Sequence, residues 1–191
     1  MAFNVNEFKT RLIREGARST LFNAYIFFPP AVANAGSGIQ DFTFTCKAAQ
    51  LPSQQVGVIE LPYFGRRIKV PGDRTFIEWT VTVINDETFS VRNAFQLWSS
   101  AINSHVGNLR DRASIYGNAL VVQYSKVGDP IKQYRLIDVW PADISAIDVS
   151  WEANDTVEEF TVTLQYNWWE DETTDSVGVA STIENVGFGF V

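Results

Sequence analysis

The alternation of apolar and polar positions is clearest over residues 75–84. Ile77, Trp79, Val81 and Val83 fall on one side and Glu78, Thr80 and Thr82 on the other. A period of two in a run rich in β-branched and aromatic residues predicts a half-buried strand. Just upstream, Pro71-Gly72-Asp73 has the chemistry of a turn: a fixed φ, a permissive residue and a short acceptor side chain. Downstream the period changes. Val91, Phe95, Trp98 and Ile102 form a stripe along one side of a helix, with Asn85 or Asp86 available as its cap and Glu87 near its positive end.

The same pattern predicts strands over residues 21–28, closed by Pro29-Pro30, and over 41–48, with Phe42, Phe44 and Cys46 inward and Thr43, Thr45 and Lys47 outward. Residues 119–126 and 131–140 read as a hairpin around Val127-Gly128-Asp129-Pro130, broken by Pro141. Residues 144–151 read as a strand with Ile147, Val149 and Trp151 on one face. In the last strand, over 157–169, Phe160, Val162, Leu164 and Tyr166 alternate with Glu159, Thr161, Thr163 and Gln165. Val5, Phe8 and Leu12 have helical spacing and Gly16 is a stop, which gives a leader helix within residues 1–17. The expected fold is mainly β with one main α-helix: an antiparallel sandwich or partly closed barrel over residues 18–170, followed by an extension over 171–191.

Residues 50–72 do not fit a simple loop. They are punctuated by Pro52, Gly57, Pro62, Gly65 and Pro71, yet carry Val56, Val58, Ile59, Leu61, Tyr63, Phe64, Ile68 and Val70. Long connections without their own structure are uncommon. Two readings stand: a hairpin folded onto its own domain, or an arm that buries its apolar side on another subunit. Arg66, Arg67, Lys69 and Arg74 gather on or beside this segment, a positive edge suited to an acidic surface such as Asp86 and Glu87 or Glu158 and Glu159.

Composition narrows the function. The chain has 191 residues, 46% of them hydrophobic, with six Trp, fourteen Phe and a net charge of −7. An acidic balance argues against a protein that grips nucleic acid, since phosphate binding needs clustered cations. The single cysteine, Cys46, excludes an internal disulfide and reads as a small buried thiol. No apolar run approaches the roughly 20 residues that span a bilayer, and no secretory signal or membrane anchor is expected.

Candidate chemistry is sparse. His105 is the only histidine, placed where the helix runs out, and neither Ser104 nor Cys46 forms a sequence-local catalytic arrangement with it. Asp138, Asp143 and Asp148, like Asp155, Glu158 and Glu159, lack the spacing of an oxygen-ligand calcium loop. The expectation is no catalysis, no metal and no cofactor. A ligand-binding sandwich remains one alternative, with a pocket built on Trp168 or Trp169.

Several long stretches carry a resemblance in register. GDRTFIEWTVTVINDE at 72–87, FTFTCKAAQLP at 42–52, IDVWPADIS at 137–145 and VSWEANDTVEEFTVTLQYNWW at 149–169 are similar to the tail tube proteins of contractile-tailed, T4-like bacteriophages. The resemblance covers about residues 18–170. It implies a virion protein made in the host cytoplasm and assembled as stacked hexameric rings. The implied partners are further copies of the chain, tail sheath, baseplate, tape-measure and tail-terminator proteins, with viral DNA passing through the lumen without specific binding. It raises the arm reading of residues 50–72. The polar positions Thr80, Thr82, Thr161, Thr163 and Gln165 become candidates for the lumen wall. A tube-like baseplate or terminator component is the nearest alternative.

Overall fold

A computed structural model of the chain describes residues 5–11, 16–32, 38–104, 107 and 115–172. His105 and the end of the C-terminal extension, including Phe188 and Phe190, lie outside the described residues. In chain order the elements are α1 (Val5–Arg11), β1 (Phe22–Phe27), a 3₁₀ turn (Pro30–Val32), α2 (Gly38–Thr45), β2 (Cys46–Ala49), β3 (Gln54–Tyr63) and β4 (Arg66–Phe76). They continue with β5 (Trp79–Ile84), α3 (Ser90–Ile102), β6 (Gly117–Tyr124), β7 (Pro130–Ile144), β8 (Glu159–Gln165) and β9 (Trp168–Glu172).

All pairings between strands are antiparallel. One sheet runs β1-β6-β7-β8-β5-β2, and β9 pairs with β7. The long strand β7 is the hinge of the body. Residues up to Val139 pair with β6, Gln133–Ile137 also pair with β9, and Trp140–Ile144 pair with β8. A register shift between Pro141 and Asp143 marks the bend. The sheet therefore folds into two leaves around one core and does not close into a barrel.

The core confirms the alternation where it was strongest. Trp79, Val81 and Val83 of β5 and Phe160, Val162 and Leu164 of β8 are buried, as are Val91, Ala94, Phe95 and Trp98 of α3. Phe28 packs against both Phe95 and Trp98, at ring separations of 5.4 and 5.2 Å. The Trp98 indole N–H donates to the Ile115 carbonyl at 2.6 Å, so its polar edge is satisfied inside the core. That ring also lies over Gly117: a Cβ there would stand 2.5 Å from the Phe27 carbonyl oxygen and 2.9 Å from Trp98 Cη2.

Several expectations are overturned. Residues 38–45 are helical, not a strand: Phe42 is buried against Phe95 while Phe44 is 89% exposed, so the two cannot share an inward face. The Thr45 hydroxyl donates to the Asp41 carbonyl one turn back, which satisfies a polar side chain that sequence alone would give to a strand. The strand proper is only Cys46–Ala49. Cys46 is partly buried, and burial pushes its thiol up to about 12.

Pro71-Gly72-Asp73 is not a turn. It sits inside β4 at a bulge, where the register steps from Val56↔Arg74 to Val58↔Pro71. Gly72 permits the close approach, since a Cβ there would meet Ile59 at 3.1 Å. The following strand starts at Trp79 and leaves Ile77 half-exposed. Pro141 does not end β7; it sits at the bulge and lies buried opposite Leu164. Residues 145–151 leave the ladder, with Val149 and Trp151 in solvent. The last predicted strand is two strands, β8 and β9. It breaks at Asn167, whose amide N–H donates to the Ile137 carbonyl and whose side chain donates to Asp138 at 2.8 Å.

Neither Asn85 nor Asp86 is the cap residue. The helix starts at Ser90, and Phe89 before it sits in the left-handed region (φ 54°) with no side-chain cap. Asp86 reaches the first turn from three residues further back. Asp86 Oδ1 accepts the Ser90 backbone N–H at 3.0 Å, Oδ2 accepts the Ser90 hydroxyl at 3.0 Å, and the carboxylate also accepts the Thr88 hydroxyl. The Thr88 bond first, then those from Ser90, hold this carboxyl below its ordinary value of 3.8. A carboxyl with a depressed folded pKa stabilises above its unfolded pKa, and that contribution is lost as pH falls through the folded value. Asp86→Ala is expected to cost about 1 kcal/mol at neutral pH. The gap to the parent should narrow as the pH falls below the ordinary carboxyl value, as urea unfolding at pH 7 and at successively lower pH would record.

Candidate assembly interface

The stretch with too many apolar residues for a loop is a separate two-stranded hairpin, β3–β4, joined by Phe64-Gly65. Positive φ at both residues, 40° and 81°, gives the tight turn. The hairpin extends past the predicted end at residue 72 to Phe76. From residue 54 to residue 70 every residue is exposed except Gly57, and neither strand pairs with any strand of the body.

The register sorts its side chains into two faces, because residues directly opposite in an antiparallel pair share a face. Ile59↔Val70, Leu61↔Ile68 and Tyr63↔Arg66 give an apolar face. Val58↔Pro71, Glu60↔Lys69 and Pro62↔Arg67 give the other, where Arg67 Nη1 pairs with Glu60 Oε2 at 2.9 Å. The predicted basic cluster is thereby divided. Arg66 borders the apolar face beside Tyr63, Arg67 and Lys69 lie on the polar face, and Arg74 stands opposite Val56 near the root. Phe64, at the tip, is 92% exposed and makes an edge contact with Tyr63.

The root is fixed to one end of β5. The Trp79 indole donates to the Gln50 carbonyl at 2.7 Å, the Tyr166 hydroxyl donates to the Ser53 carbonyl at 3.3 Å, and Phe76 packs on Tyr166. The predicted acidic partners gather at the other end. The Asn85 backbone N–H donates to the Glu158 carbonyl at 2.8 Å, its side chain donates to Glu158 Oε2, and Ile84 pairs with Glu159. Asp86, Glu87, Glu158 and Glu159 thus form one corner, about 17 Å from the hairpin root along six residues of β5. Three of them already have partners within the chain: Asp86 accepts from Ser90, Glu158 accepts from Asn85, and Glu159 pairs with Lys47 at 2.6 Å. Glu87 is exposed.

The five polar lumen candidates share one face. Thr80 stands opposite Thr163 and Thr82 opposite Thr161, while Gln165, across from Trp140, donates to Glu78 at 3.3 Å. All five are half-buried, and Asp143 extends the Thr163 row. The strip is uncharged or acidic, and Lys47 at its end is held by Glu159.

No group of three His, Cys, Asp or Glu side chains able to hold a metal ion occurs among the described residues. Trp168 and Trp169, on which a ligand pocket was considered, point to opposite faces of β9: Trp169 packs on Tyr134 and the core, and Trp168 donates to Glu170. Sequence reasoning missed the loop after β7, taken there for a strand. Trp151, spaced like an inward residue, is fully exposed.

The phage tail tube protein family matches residues 17–172. The tail tube protein of Enterobacteria phage T4 is 35% identical over 134 residues, covering 69% of this chain and 82% of the relative. That of Serratia phage KSP90 is 29% identical over 169 residues, covering 85% and 93%. Among solved structures, the fold is similar to a chain of the tube-terminating cap of the anti-feeding prophage, with a TM-score of 0.62 at 14% identity over 83% of this chain and 91% of that one. It is also similar to a chain of the sheath–tube complex of an extracellular contractile injection system, with a TM-score of 0.58 at 11% identity over 90% and 99%. The chain belongs to the phage tail tube protein family and is a structural component of a contractile phage tail.

Proposed function

We propose that this chain assembles head-to-tail into stacked hexameric rings that form the inner tube of the tail, and that the β3–β4 hairpin is the arm that joins one copy to the next. The observation that carries this reading is the hairpin itself: an amphipathic element with an apolar face that no other element covers among the described residues. Soluble monomers rarely leave a contiguous patch of this kind in water. The basic hairpin and the acidic corner stand at opposite ends of β5, which suits a heterologous contact, and such contacts close into rings or run on as filaments. Open edges of the bent sheet are further joining surfaces.

In this reading the Thr80, Thr82, Thr161, Thr163 and Gln165 face lines the channel. A wall without free cations releases no counterions from DNA, so the genome slides through without being held. Sheath surrounds the tube, the baseplate starts it, a tape-measure protein sets its length and a terminator ends it. Sheath contraction drives the tube through the host envelope.

Negative-stain electron microscopy of the purified protein over a concentration series tests the reading. Hollow tubes or stacked rings are expected, and Arg66→Glu, Arg67→Glu and Lys69→Glu combined should leave folded protein that does not stack. A protein that stays monomeric even on isolated baseplates would overturn it. So would tubes with a strongly positive lumen, for the channel part.

A further inference from the structure

The loop between β7 and β8, residues 145–158, exposes Val149 at 80%, Trp151 at 103% and Val157 at 67%. Its tip is a turn: the Ala153 N–H donates to the Ser150 carbonyl at 3.2 Å, which sets Trp151 at the first central position, and the Ser150 hydroxyl accepts the Glu152 N–H at 3.2 Å. The backbone is thus pinned while the indole is held out in solvent. Asp148, Glu152 and Asp155 lie within the loop and Glu158 and Glu159 at its end, with no Lys or Arg between residues 145 and 160. Where the loop meets the sheet, Arg92 donates to the Ser145 carbonyl at 3.1 Å and Lys47 pairs with Glu159.

The loop's place in the fold matters as much as its chemistry. It leaves the sheet at Ser145, whose N–H donates to the Thr161 carbonyl at 2.8 Å, and returns at Glu158 beside Asn85. That is the Ile84 end of β5, whereas the hairpin is rooted at the Trp79 end. One molecule therefore presents exposed apolar side chains among carboxylates at one end and, at the other, an apolar hairpin face bordered by Arg66, with Arg67 and Lys69 on the reverse face.

We infer that the Trp151 loop is the receptor for the hairpin of a second copy of this chain, with Trp151 as the aromatic anchor against the Ile59–Leu61–Ile68 face. This rests on the head-to-tail reading above and names the surface on which the hairpin lands. A buried tryptophan at the centre of a contact is the kind of residue that dominates its energetics, and the rim charges set direction and encounter rate. Like charges suppress the alternatives, since loop against loop brings carboxylates together and hairpin against hairpin brings cations together.

The test uses the full chain in two forms. In a Cys46→Ser background, Leu61→Cys and Trp151→Cys are combined, the protein is assembled and then oxidised. A non-reducing gel should show a ladder of linked copies, absent from either single variant. Separately, Trp151→Ser should raise the concentration needed for polymerisation about tenfold, with a thermal midpoint equal to the parent's because the side chain touches little of its own fold. Tubes that form normally from Trp151→Ser, together with no ladder from the cysteine pair, would overturn the inference while the tube reading stands. Tubes that form normally but no longer take up sheath would overturn it in favour of a sheath contact. Failure of the unaltered protein to polymerise even on baseplates would remove the tube reading, and this docking with it.

Discussion

Ile59→Ser, Leu61→Ser and Ile68→Ser together are expected to abolish polymerisation and leave the folded subunit intact. The three side chains are 50%, 51% and 49% exposed and lie on one face of a hairpin that pairs with no strand of the body. Removing them deletes no core contact, so the thermal midpoint should hold. Covering the exposed half of each is worth about 1 kcal/mol. Losing about 3 kcal/mol per contact weakens it more than 100-fold. The contact recurs for every subunit of a ring, so the loss compounds, as multivalent binding does in reverse. Sedimentation velocity with circular dichroism on the same sample separates the outcomes. Tubes at the parent's concentration would show that the hairpin face is not a joining surface. A collapse of secondary structure would show that it packs on its own domain after all.

Gly117→Val should unfold the protein, and Trp98→Ala should destabilise it by about 3–5 kcal/mol. The two positions belong to one arrangement. Trp98 has no exposed surface, packs on Phe28 and Phe95, and donates its indole N–H to Ile115. Gly117 opens β6 directly beneath that ring, with the Phe27 backbone on its other side. A side chain there must displace either a strand backbone or a fully packed indole, and neither has room to move. Truncating Trp98 does the opposite, leaving a void between α3 and the sheet and an unpaired Ile115 carbonyl. Since marginal stability is about 5–15 kcal/mol, both changes should be read in unfolding curves before assembly is tested. A soluble Gly117→Val protein with an unchanged urea midpoint would mean that this corner of the core is looser than its contacts indicate.

The places where pattern and structure agree are those where one side of an element faces the core and the other faces solvent. In β5, β8 and α3 burial depends only on which face a residue occupies, and that is set by backbone periodicity. Trp79, Val81, Val83, Phe95 and Trp98 were legible for this reason. The pattern also marked residues 50–72 as anomalous and identified its apolar and basic residues. It could not divide them, because the division follows from the Ile59↔Val70 register and from the bulge at Gly57 and Gly72.

The failures have a common cause. Residues 42–46 alternate like a strand, but packing of Phe42 against Phe95 favours a helix, and tertiary contact outweighs propensities worth a few tenths of a kcal/mol per residue. Ile147, Val149 and Trp151 also alternate, yet there is no sheet for that segment to join, because β7 has already given its last residues to β8. Prolines 71 and 141 read as breakers and serve as bulges.

By itself, then, the sequence determined the alternating core strands, the helix stripe and the family, since each is written in local period or in long stretches of similar residues. Only the tertiary structure decided which apolar residues remain uncovered and at which end of the subunit they stand. Exposure is a property of what lies across the gap, and among the described residues the hairpin and the Trp151 loop have nothing across from them.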